Sequence, residues 1–307
     1  MTACAQNVKG ERSTYQGFAL YSDIQYGPDK AHSFDVYTRS DFSNAPVIFM
    51  VHGGAWKMGD KKSDSVVKNK VKRWVSSGFV FISANYRLVP HANPVEQAQD
   101  LREALVSAQN QVYQWGGNPD KFVLMGHSAG AHLVGLVSGS VSDVTSIGGK
   151  PWLGAILLDS AALDVPLVMD SDHYRFHDQA FGRDRDFWYQ ASPYHQLRSD
   201  ARPILVTCSS KRKGACDQAN KFVSKANSMG IKASVLSRNY SHKGMNTELG
   251  ADNSYTQDVE GFMSGLDSHV NRVVVGSEKL SADSETQTGP VRKLIQRIKE
   301  RRAQREE

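Results

Sequence analysis

The chain has 307 residues, of which 40% are hydrophobic, and a formal net charge of +5 at pH 7. This length and composition suit one large α/β domain or two small ones. No run of about 18 apolar residues occurs, so the sequence contains no segment typical of a membrane-spanning helix. The positive charge is concentrated in Arg292 to Glu307, which contain seven Lys or Arg residues and three Glu residues. Because the rest of the chain is nearly neutral, the main domain is not expected to bind nucleic acid.

The three cysteines leave two interpretations of the compartment open. Cys4 lies in "MTACAQ", which resembles the end of a bacterial lipoprotein signal, but the positive and apolar regions of such a signal are absent. As it stands, the sequence predicts a cytoplasmic protein with a disordered N-terminus at residues 1–15. The alternative is a periplasmic or cell-envelope lipoprotein whose upstream signal was removed. In that protein Cys4 would be lipidated, and Cys208 and Cys216 could form a disulfide.

Short apolar runs alternate with helix-like stretches along the chain. The predicted strands are Phe34 to Thr38, Pro46 to His52, Phe79 to Tyr86, Lys121 to Gly126, Leu153 to Ser160, Pro203 to Cys208 and Lys232 to Ser237. The helix-like stretches between them include Pro94 to Trp115 and Asp217 to Met229. Continuous apolar strands separated by helices predict a mostly parallel sheet covered on both faces. Reactive groups in such sheets collect at the carboxyl ends of the strands.

Domain boundaries follow from composition. The main domain is predicted at residues 16–272, with a cap insertion at 164–200 that is rich in aromatic residues. A segment with that much aromatic surface is expected to cover a pocket. Residues 273–307 are predicted to be a polar linker followed by a basic tail.

The stretch "GHSAG" interrupts the apolar run that ends at Met125. It matches G-x-S-x-G through Gly126, Ser128 and Gly130, and it lies between a predicted strand and a predicted helix. A strand-to-helix turn this tight admits only small residues beside the serine and leaves its hydroxyl exposed. Ser128 is therefore the predicted nucleophile.

The loop "VHGGAWKMGDK" follows the strand that begins at Pro46. Two glycines let the backbone turn its N–H groups outward. The N–H groups of Gly53 and Gly54, with that of Ala129, are predicted to bind the oxyanion that forms when the serine attacks a carbonyl.

The loop "HGGAW…GDK", the stretch "GHSAGAHL" and the intervening "SANYRLVP…QAQD" resemble the esterase/lipase and arylformamidase (kynurenine formamidase) families of the α/β-hydrolase superfamily. The resemblance covers roughly Tyr26 to Leu266. It implies an α/β fold with an eight-stranded, mostly parallel sheet, hydrolysis of an ester or related acyl bond, and no metal or organic cofactor. It also implies a triad in the order serine, acid, histidine.

His242 fits the last member of that order. It follows the strand that starts at Lys232, whereas His269 falls in the next helix. His242 is therefore the predicted general base.

The acid departs from the family pattern, because Lys211 occupies the position where these families usually carry an aspartate. Asp217 is the only carboxylate between Ala201 and His242. A disulfide between Cys208 and Cys216 would hold the residue before it beside the strand end. Asp217 is the first choice for the acid, and the alternatives are Asp159 and Asp164.

The walls of the acyl pocket are expected to include four aromatic or imidazole side chains, those of Trp56, His127, Phe181 and Trp188. The spacing of His173 and His177 could hold a metal, but no third, distant ligand accompanies them, so no metal site is predicted.

These features predict a serine hydrolase that cleaves small-molecule carboxylic esters through an acyl-enzyme. One alternative is an arylformamidase acting on N-formylkynurenine. A second alternative is an inactive, hydrolase-fold binding protein, although the retention of Ser128, His242 and the glycine loop argues against it.

Overall fold

The structure is a computed structural model that describes residues 10–276. Within them lie nine β-strands: β1 (Glu11–Tyr15), β2 (Phe18–Gln25), β3 (Ser33–Thr38), β4 (Ala45–Val51), β5 (Val80–Ala84), β6 (Gly117–His127), β7 (Gly154–Leu158), β8 (Ile204–Ser209) and β9 (Ala233–Arg238). They form one sheet in the order β1-β2-β3-β5-β4-β6-β7-β8-β9. The first three strands pair antiparallel, as do β3 and β5, and all pairs from β5 to β9 are parallel.

Helices lie between the strands and after the last one. They include α1 (Asp64–Ser77), α2 (Pro94–Gln111), α3 (Ala129–Ser138), α4 (Val141–Thr145), α5 (Val165–Met169), α6 (Arg175–Phe181), α7 (Arg185–Gln190), α8 (Pro193–Gln196), α9 (Ala215–Ser228), α10 (Gly244–Thr247) and α11 (Ser254–Ser264). Residues 268–276 are helical as well. Helix α2 starts with a reciprocal cap, in which Asn93 accepts from the backbone of Glu96 and the Glu96 side chain accepts from the backbone of Asn93.

Both faces of the sheet are buried, as the continuous apolar strands predict. On β4, Val47 and Phe49 lie in a core cluster that contains residues of α2, α3 and α9. Ile48 and Met50, which point the other way, lie in a second cluster with residues of α1 and α11. Alternate residues of one strand thus enter two cores, which is why its sequence shows no polar alternation. The predicted α/β-hydrolase fold is confirmed.

The strand count and the N-terminal boundary differ from the prediction. The sheet has nine strands in the described residues rather than eight, and β1 lies inside the segment 1–15 that was predicted to be disordered. The sequence gives little sign of β1, which has no apolar run. The apolar run of β2, Phe18 to Tyr21, is short and only partly buried, and Ile24 is the one buried residue of the two strands. At the other end Val274 is buried in the second core cluster, so the domain continues past residue 272. Residues 1–9 and 277–307, with Cys4 and most of the predicted linker and tail, lie outside the described residues.

Four short helices, α5 to α8, fill the connection between β7 and β8. This is the segment that was predicted as a cap at 164–200. Its aromatic side chains divide into two sets. Phe181 and Trp188 are buried in the first core cluster, whereas Tyr174 is 70% exposed at the surface.

Candidate active site

Ser128 stands at a strained turn between β6 and α3, with φ 57° and ψ −119°. The glycines on either side are required by close backbone approach. A Cβ on Gly126 would lie 2.3 Å from the carbonyl oxygen of Gly130, and a Cβ on Gly130 would lie 2.4 Å from the carbonyl oxygens of Val51 and His52. Both distances are far below van der Waals contact, so the G-x-S-x-G pattern follows from the packing of this turn against β4.

His242 lies between the serine and a carboxylate. Its Nε2 is 2.9 Å from Oγ of Ser128, and its Nδ1 is 2.6 Å from Oδ2 of Asp159. With Nδ1–H donated to the carboxylate, Nε2 is left to accept the serine hydroxyl hydrogen. A serine, an imidazole and a carboxylate are thereby joined in one hydrogen-bonded chain.

The carboxylate of Asp159 is fully buried and held from several sides. Its Oδ1 accepts a hydrogen bond from the backbone N–H of Ser209 (2.8 Å), and its carbonyl oxygen accepts one from Nη1 of Arg212 (2.7 Å). Burial acts to raise the pKa of Asp159. The hydrogen bonds from His242 and Ser209 and the charge of Arg212 outweigh burial and lower this pKa below its usual range. Asp159 is therefore ionised at neutral pH and can orient the imidazole.

The structure does not bring Asp217 to His242, so the first choice for the acid is corrected. Asp217 lies exposed in the first turn of α9, because the buried face of that helix is formed by its neighbours such as Ala215 and Gln218. The second alternative, Asp164, is also elsewhere, since its Oδ2 forms an ion pair with Nζ of Lys221 at 2.6 Å. Of the three candidates, only Asp159 contacts the histidine.

The disulfide between Cys208 and Cys216 is present, with a Cα–Cα distance of 5.2 Å. It ties the end of β8 to the start of α9, as the interpretation of the cysteine spacing required. The disulfide was expected to bring Asp217 close to His242. Instead, the residues that it holds near the histidine belong to the loop between the two cysteines. Arg212 in that loop lies 3.2 Å from Nδ1 of His242.

The predicted oxyanion loop passes directly beside the serine. A Cβ on Gly53 would lie 3.0 Å from Cβ of Ser128, and Gly54 has φ +127°, where a Cβ would lie 1.9 Å from the carbonyl oxygen of Met58. Among the described residues, the backbone N–H groups of Gly53, Gly54 and Ala129 donate no hydrogen bond. Three unpaired donors close to the serine hydroxyl fit the site that a tetrahedral intermediate needs.

His52 and Trp56 support this loop. Nδ1 of His52 is 2.8 Å from the carbonyl oxygen of Gly53, and its ring stacks on Tyr86 at a centroid distance of 4.6 Å. Nε1–H of Trp56 donates to Nδ1 of His132 (3.1 Å), so the indole is held in one orientation. Both rings are buried, which means that the loop rests on packed side chains rather than on solvent.

Two more histidines near the serine are neutral structural groups. Nε2–H of His132 donates to the carbonyl oxygen of Ala191 (2.7 Å), and burial lowers the pKa of His132 to about 3. Nε2–H of His127 donates to the backbone oxygen of His242 (2.9 Å). Burial, followed by the nearby His242 imidazole, lowers the pKa of His127 to about 3. His127 thus holds the backbone of His242 in place.

A cleft of about 640 Å³ opens over Ser128. It is lined by Gly54, Ala55, Trp56, Met58, His127, Ser128, Ala129, Ser160, Ala161, Ala162, Tyr174, Phe176, His177, Ser209, Lys211, Arg212, Lys213, Ser241 and His242. Trp56 and His127 line it as predicted, but Phe181 and Trp188 do not. Phe181 packs behind Trp56 at a centroid distance of 4.8 Å, and Nε1–H of Trp188 donates to the carbonyl oxygen of Phe181 (3.2 Å).

Sequence reasoning missed most of the polar and aromatic residues of this cleft. In the sequence, Tyr174, Phe176 and His177 stand out only as members of an aromatic-rich segment or a histidine pair. No sequence pattern predicts a role for Arg212, although Lys211 beside it occupies the position where the family carries the acid. The run of basic residues after β8 could have indicated a role, since loops that follow the carboxyl ends of parallel strands lie at the edge of the sheet where active sites form.

No group of three or more His, Cys, Asp or Glu residues within residues 10–276 is arranged to hold a metal ion. No helix in that range is both long enough and apolar enough to cross a bilayer.

The sheet order, the strained serine and the histidine at the strand ends define the class of protein, which is the α/β-hydrolase fold. The BD-FAE family model matches residues 34–163. Esterase LipQ of Mycobacterium tuberculosis is 27% identical over 203 residues, covering 61% of this chain and 48% of LipQ. Kynurenine formamidase of Danio rerio is 27% identical over 150 residues, covering 48% of each protein.

Among solved structures, a truncated carbohydrate esterase from gut microbiota superimposes with a TM-score of 0.68 at 18% identity, covering 85% of this chain and 98% of that one. The chain spans about half the length of LipQ and of the Danio rerio protein. It has the α/β-hydrolase fold, and its sequence is similar to those of esterases and of a kynurenine formamidase.

Proposed function

We propose that the protein hydrolyses small carboxylic esters, with Ser128 as nucleophile, His242 as general base and acid, and Asp159 as the orienting carboxylate. The observation that carries this proposal is the unbroken chain of two hydrogen bonds, 2.9 Å from serine to histidine and 2.6 Å from histidine to aspartate. The relationship to esterases supports the choice of an ester as substrate.

The geometry supports a two-step reaction. Oγ of Ser128 attacks the ester carbonyl while Nε2 of His242 takes the hydroxyl proton, and the carbonyl oxygen becomes an oxyanion. The N–H groups of Gly53, Gly54 and Ala129 would stabilise that charge. His242 then gives its proton to the leaving alcohol, which leaves an acyl group on the serine. In the second step His242 takes a proton from water, the resulting hydroxide attacks the acyl-enzyme, and Oγ leaves with the proton that the imidazole returns.

The test is hydrolysis of p-nitrophenyl butyrate by the wild type, by Ser128→Ala and by Ser228→Ala. Ser228 is an exposed serine at the end of α9, outside the cleft, so it controls for the loss of a hydroxyl. We expect turnover by the wild type and Ser228→Ala and none above background by Ser128→Ala. A fluorophosphonate should add once to the wild type, at Ser128. A folded wild type that neither turns over the ester nor takes up the probe would support the inactive, binding-protein alternative.

The second candidate is an arylformamidase, which the similarity to the Danio rerio kynurenine formamidase favours. The same serine, base and oxyanion donors would serve a formamide, with an aniline nitrogen as leaving group in place of an oxygen. Release of formate from N-formylkynurenine by the wild type, with no turnover of p-nitrophenyl butyrate, would favour this candidate over the esterase.

A further inference from the structure

The loop between β8 and α9 carries three consecutive basic residues. Lys211, Arg212 and Lys213 all line the cleft over Ser128. The guanidinium of Arg212 is paired with Asp159. Its Nη1 donates to the carbonyl oxygen of Asp159 (2.7 Å) and lies 3.6 Å from the carboxylate of the same residue. Arg212 therefore belongs to the support of the proposed triad.

Lys211 and Lys213 have no counter-charge among the residues that the structure describes. Neither Lys211 nor Lys213 forms an ion pair with a carboxylate of residues 10–276, and no Asp or Glu of that range lines the cleft. Two acidic residues near the proposed site have other partners. Asp159 is hydrogen-bonded to His242, and Asp164 forms an ion pair with Lys221. Two unpaired ammonium groups at the edge of a cleft without carboxylates produce a positive potential that favours an anionic ligand.

The backbone of this loop is fixed at several points, so the lysines project from a defined position. The Cys208–Cys216 disulfide joins its two ends. Within it, the backbone N–H of Ser210 donates to the carbonyl oxygen of Arg238 (2.9 Å), and that of Lys211 donates to Oγ of Ser209 (3.2 Å). A constrained loop loses less conformational entropy when its side chains bind a ligand than a free tail would.

The basic loop lies beside His242, the residue that protonates the leaving group in the proposed reaction. His242 must reach the departing oxygen to protonate it, so the alcohol half of the ester lies over the imidazole. Nη1 of Arg212 lies 3.2 Å from Nδ1 of that imidazole, so the basic loop flanks the histidine that the alcohol half must approach. Tyr174 and Phe176 line the same cleft and offer aromatic surface to a ring in the substrate.

We propose that Lys211 and Lys213 form a binding subsite for a carboxylate carried by the alcohol half of the substrate. The inference rests on the proposed hydrolase function and specifies its substrate as an ester of an acidic phenol or alcohol. The two lysines are specificity-determining residues, since they do not touch the reacting atoms.

The experiment compares two acetate esters of the same shape, 4-acetoxybenzoate, whose leaving group carries a negative charge, and 4-acetoxybenzamide, whose leaving group is neutral. For each protein, the ratio of kcat/KM for the anionic ester to kcat/KM for the neutral ester is measured. The proteins are the wild type, Lys211→Gln/Lys213→Gln, and the control Lys68→Gln/Lys72→Gln. Lys68 and Lys72 are exposed on α1 outside the cleft, so the control makes the same change in net charge.

We expect the ratio to fall roughly three- to tenfold in Lys211→Gln/Lys213→Gln, as two solvent-exposed ion pairs would give. The ratio in the control should match that of the wild type. In the wild type it should also decrease as sodium chloride is raised, because salt screens exposed charges. An unchanged ratio in Lys211→Gln/Lys213→Gln, or an equal fall in the control, would overturn the subsite. The hydrolase function would still be supported in that case if the proteins turn over 4-acetoxybenzamide. If the wild type cleaves neither ester, the proposed function fails and this inference fails with it.

Discussion

Asp159 and Ser128 each follow directly on paired residues of adjacent parallel strands. His127 and Leu158 are Cα partners in the pairing of β6 with β7, and the backbone N–H of Ser128 donates to the carbonyl oxygen of Leu158 (2.9 Å). The next residue after each strand therefore leaves the sheet at the same edge. His242 then needs only to reach this edge from the loop after β9 to contact both side chains.

The first prediction concerns the choice of acid. Asp159→Asn should reduce kcat by about 10⁴, because the amide cannot hold the imidazole in the required tautomer or stabilise its charged form. Asp217→Asn should keep wild-type activity, since its side chain is exposed on α9 and does not contact His242. Initial rates on p-nitrophenyl butyrate, with circular dichroism to establish folding, make the comparison. The reverse pattern would return the role to Asp217.

The second prediction concerns the oxyanion loop. Gly54→Ala should lower kcat by at least about 10²-fold, since the methyl group would meet the carbonyl oxygen of Met58 at 1.9 Å and displace the N–H donors. Gly148→Ala is the matched control, because Gly148 also has positive φ, +89°, but has open space around its Cα. That variant should keep kcat within about a factor of two, as it lies outside the cleft and only its local backbone is strained. Retention of more than a tenth of kcat by Gly54→Ala would contradict the assignment of this loop.

The third prediction concerns the disulfide. Cys216→Ser should lower the free energy of unfolding by about 2–3 kcal/mol, as expected for opening a short cross-linked loop. It should also lower kcat, because Arg212, which contacts Asp159, lies in that loop. Urea unfolding and esterase rates are measured with and without dithiothreitol. The wild type should lose stability and activity on reduction, whereas Cys216→Ser should not respond to the reductant. A wild type that does not respond after its thiols are shown to be reduced would count against this role.

The fourth prediction concerns Lys70, a fully buried lysine on α1. Its Nζ donates to the backbone and side-chain oxygens of Asn246 in α10, at 2.6 Å and 2.8 Å. Burial lowers the pKa of Lys70 to about 7 in the folded protein, below the value of about 10.4 in an unfolded chain. Between these two values the unfolded state binds more protons, so stability should rise with pH, by up to about 1.4 kcal/mol per pH unit.

Lys70→Met removes this titration, so the rise in the free energy of unfolding between pH 7 and about 10 should be smaller in the variant than in the wild type. Lys72→Met, an exposed lysine two residues away on the same helix, should keep the wild-type dependence. Urea titrations at a series of pH values give the three curves. Equal slopes for the wild type and Lys70→Met would show that Lys70 keeps its proton when folded.

The sequence by itself determined the α/β class, the strands from β3 to β9, and the positions of Ser128 and His242 at strand ends. These features depend on local sequence. A strand buried on both faces must be apolar throughout, so it appears as an apolar run. The G-x-S-x-G turn is imposed by contacts within a few residues and with one neighbouring strand. β1 and β2 escaped prediction, since β1 is mostly exposed and β2 only partly buried, so neither has the long buried apolar run of the later strands.

Only the tertiary structure decided which carboxylate meets His242 and which aromatic residues face the cleft. Asp159 and His242 are 83 residues apart, and their contact depends on the order of β6, β7, β8 and β9 in the sheet rather than on any spacing in the chain. Proximity along the sequence favoured Asp217, yet the helix that starts at Ala215 turns that side chain to solvent. Phe181 and Phe176 belong to the same short helix, but one packs into the core and the other lines the cleft, because they lie on different faces of it.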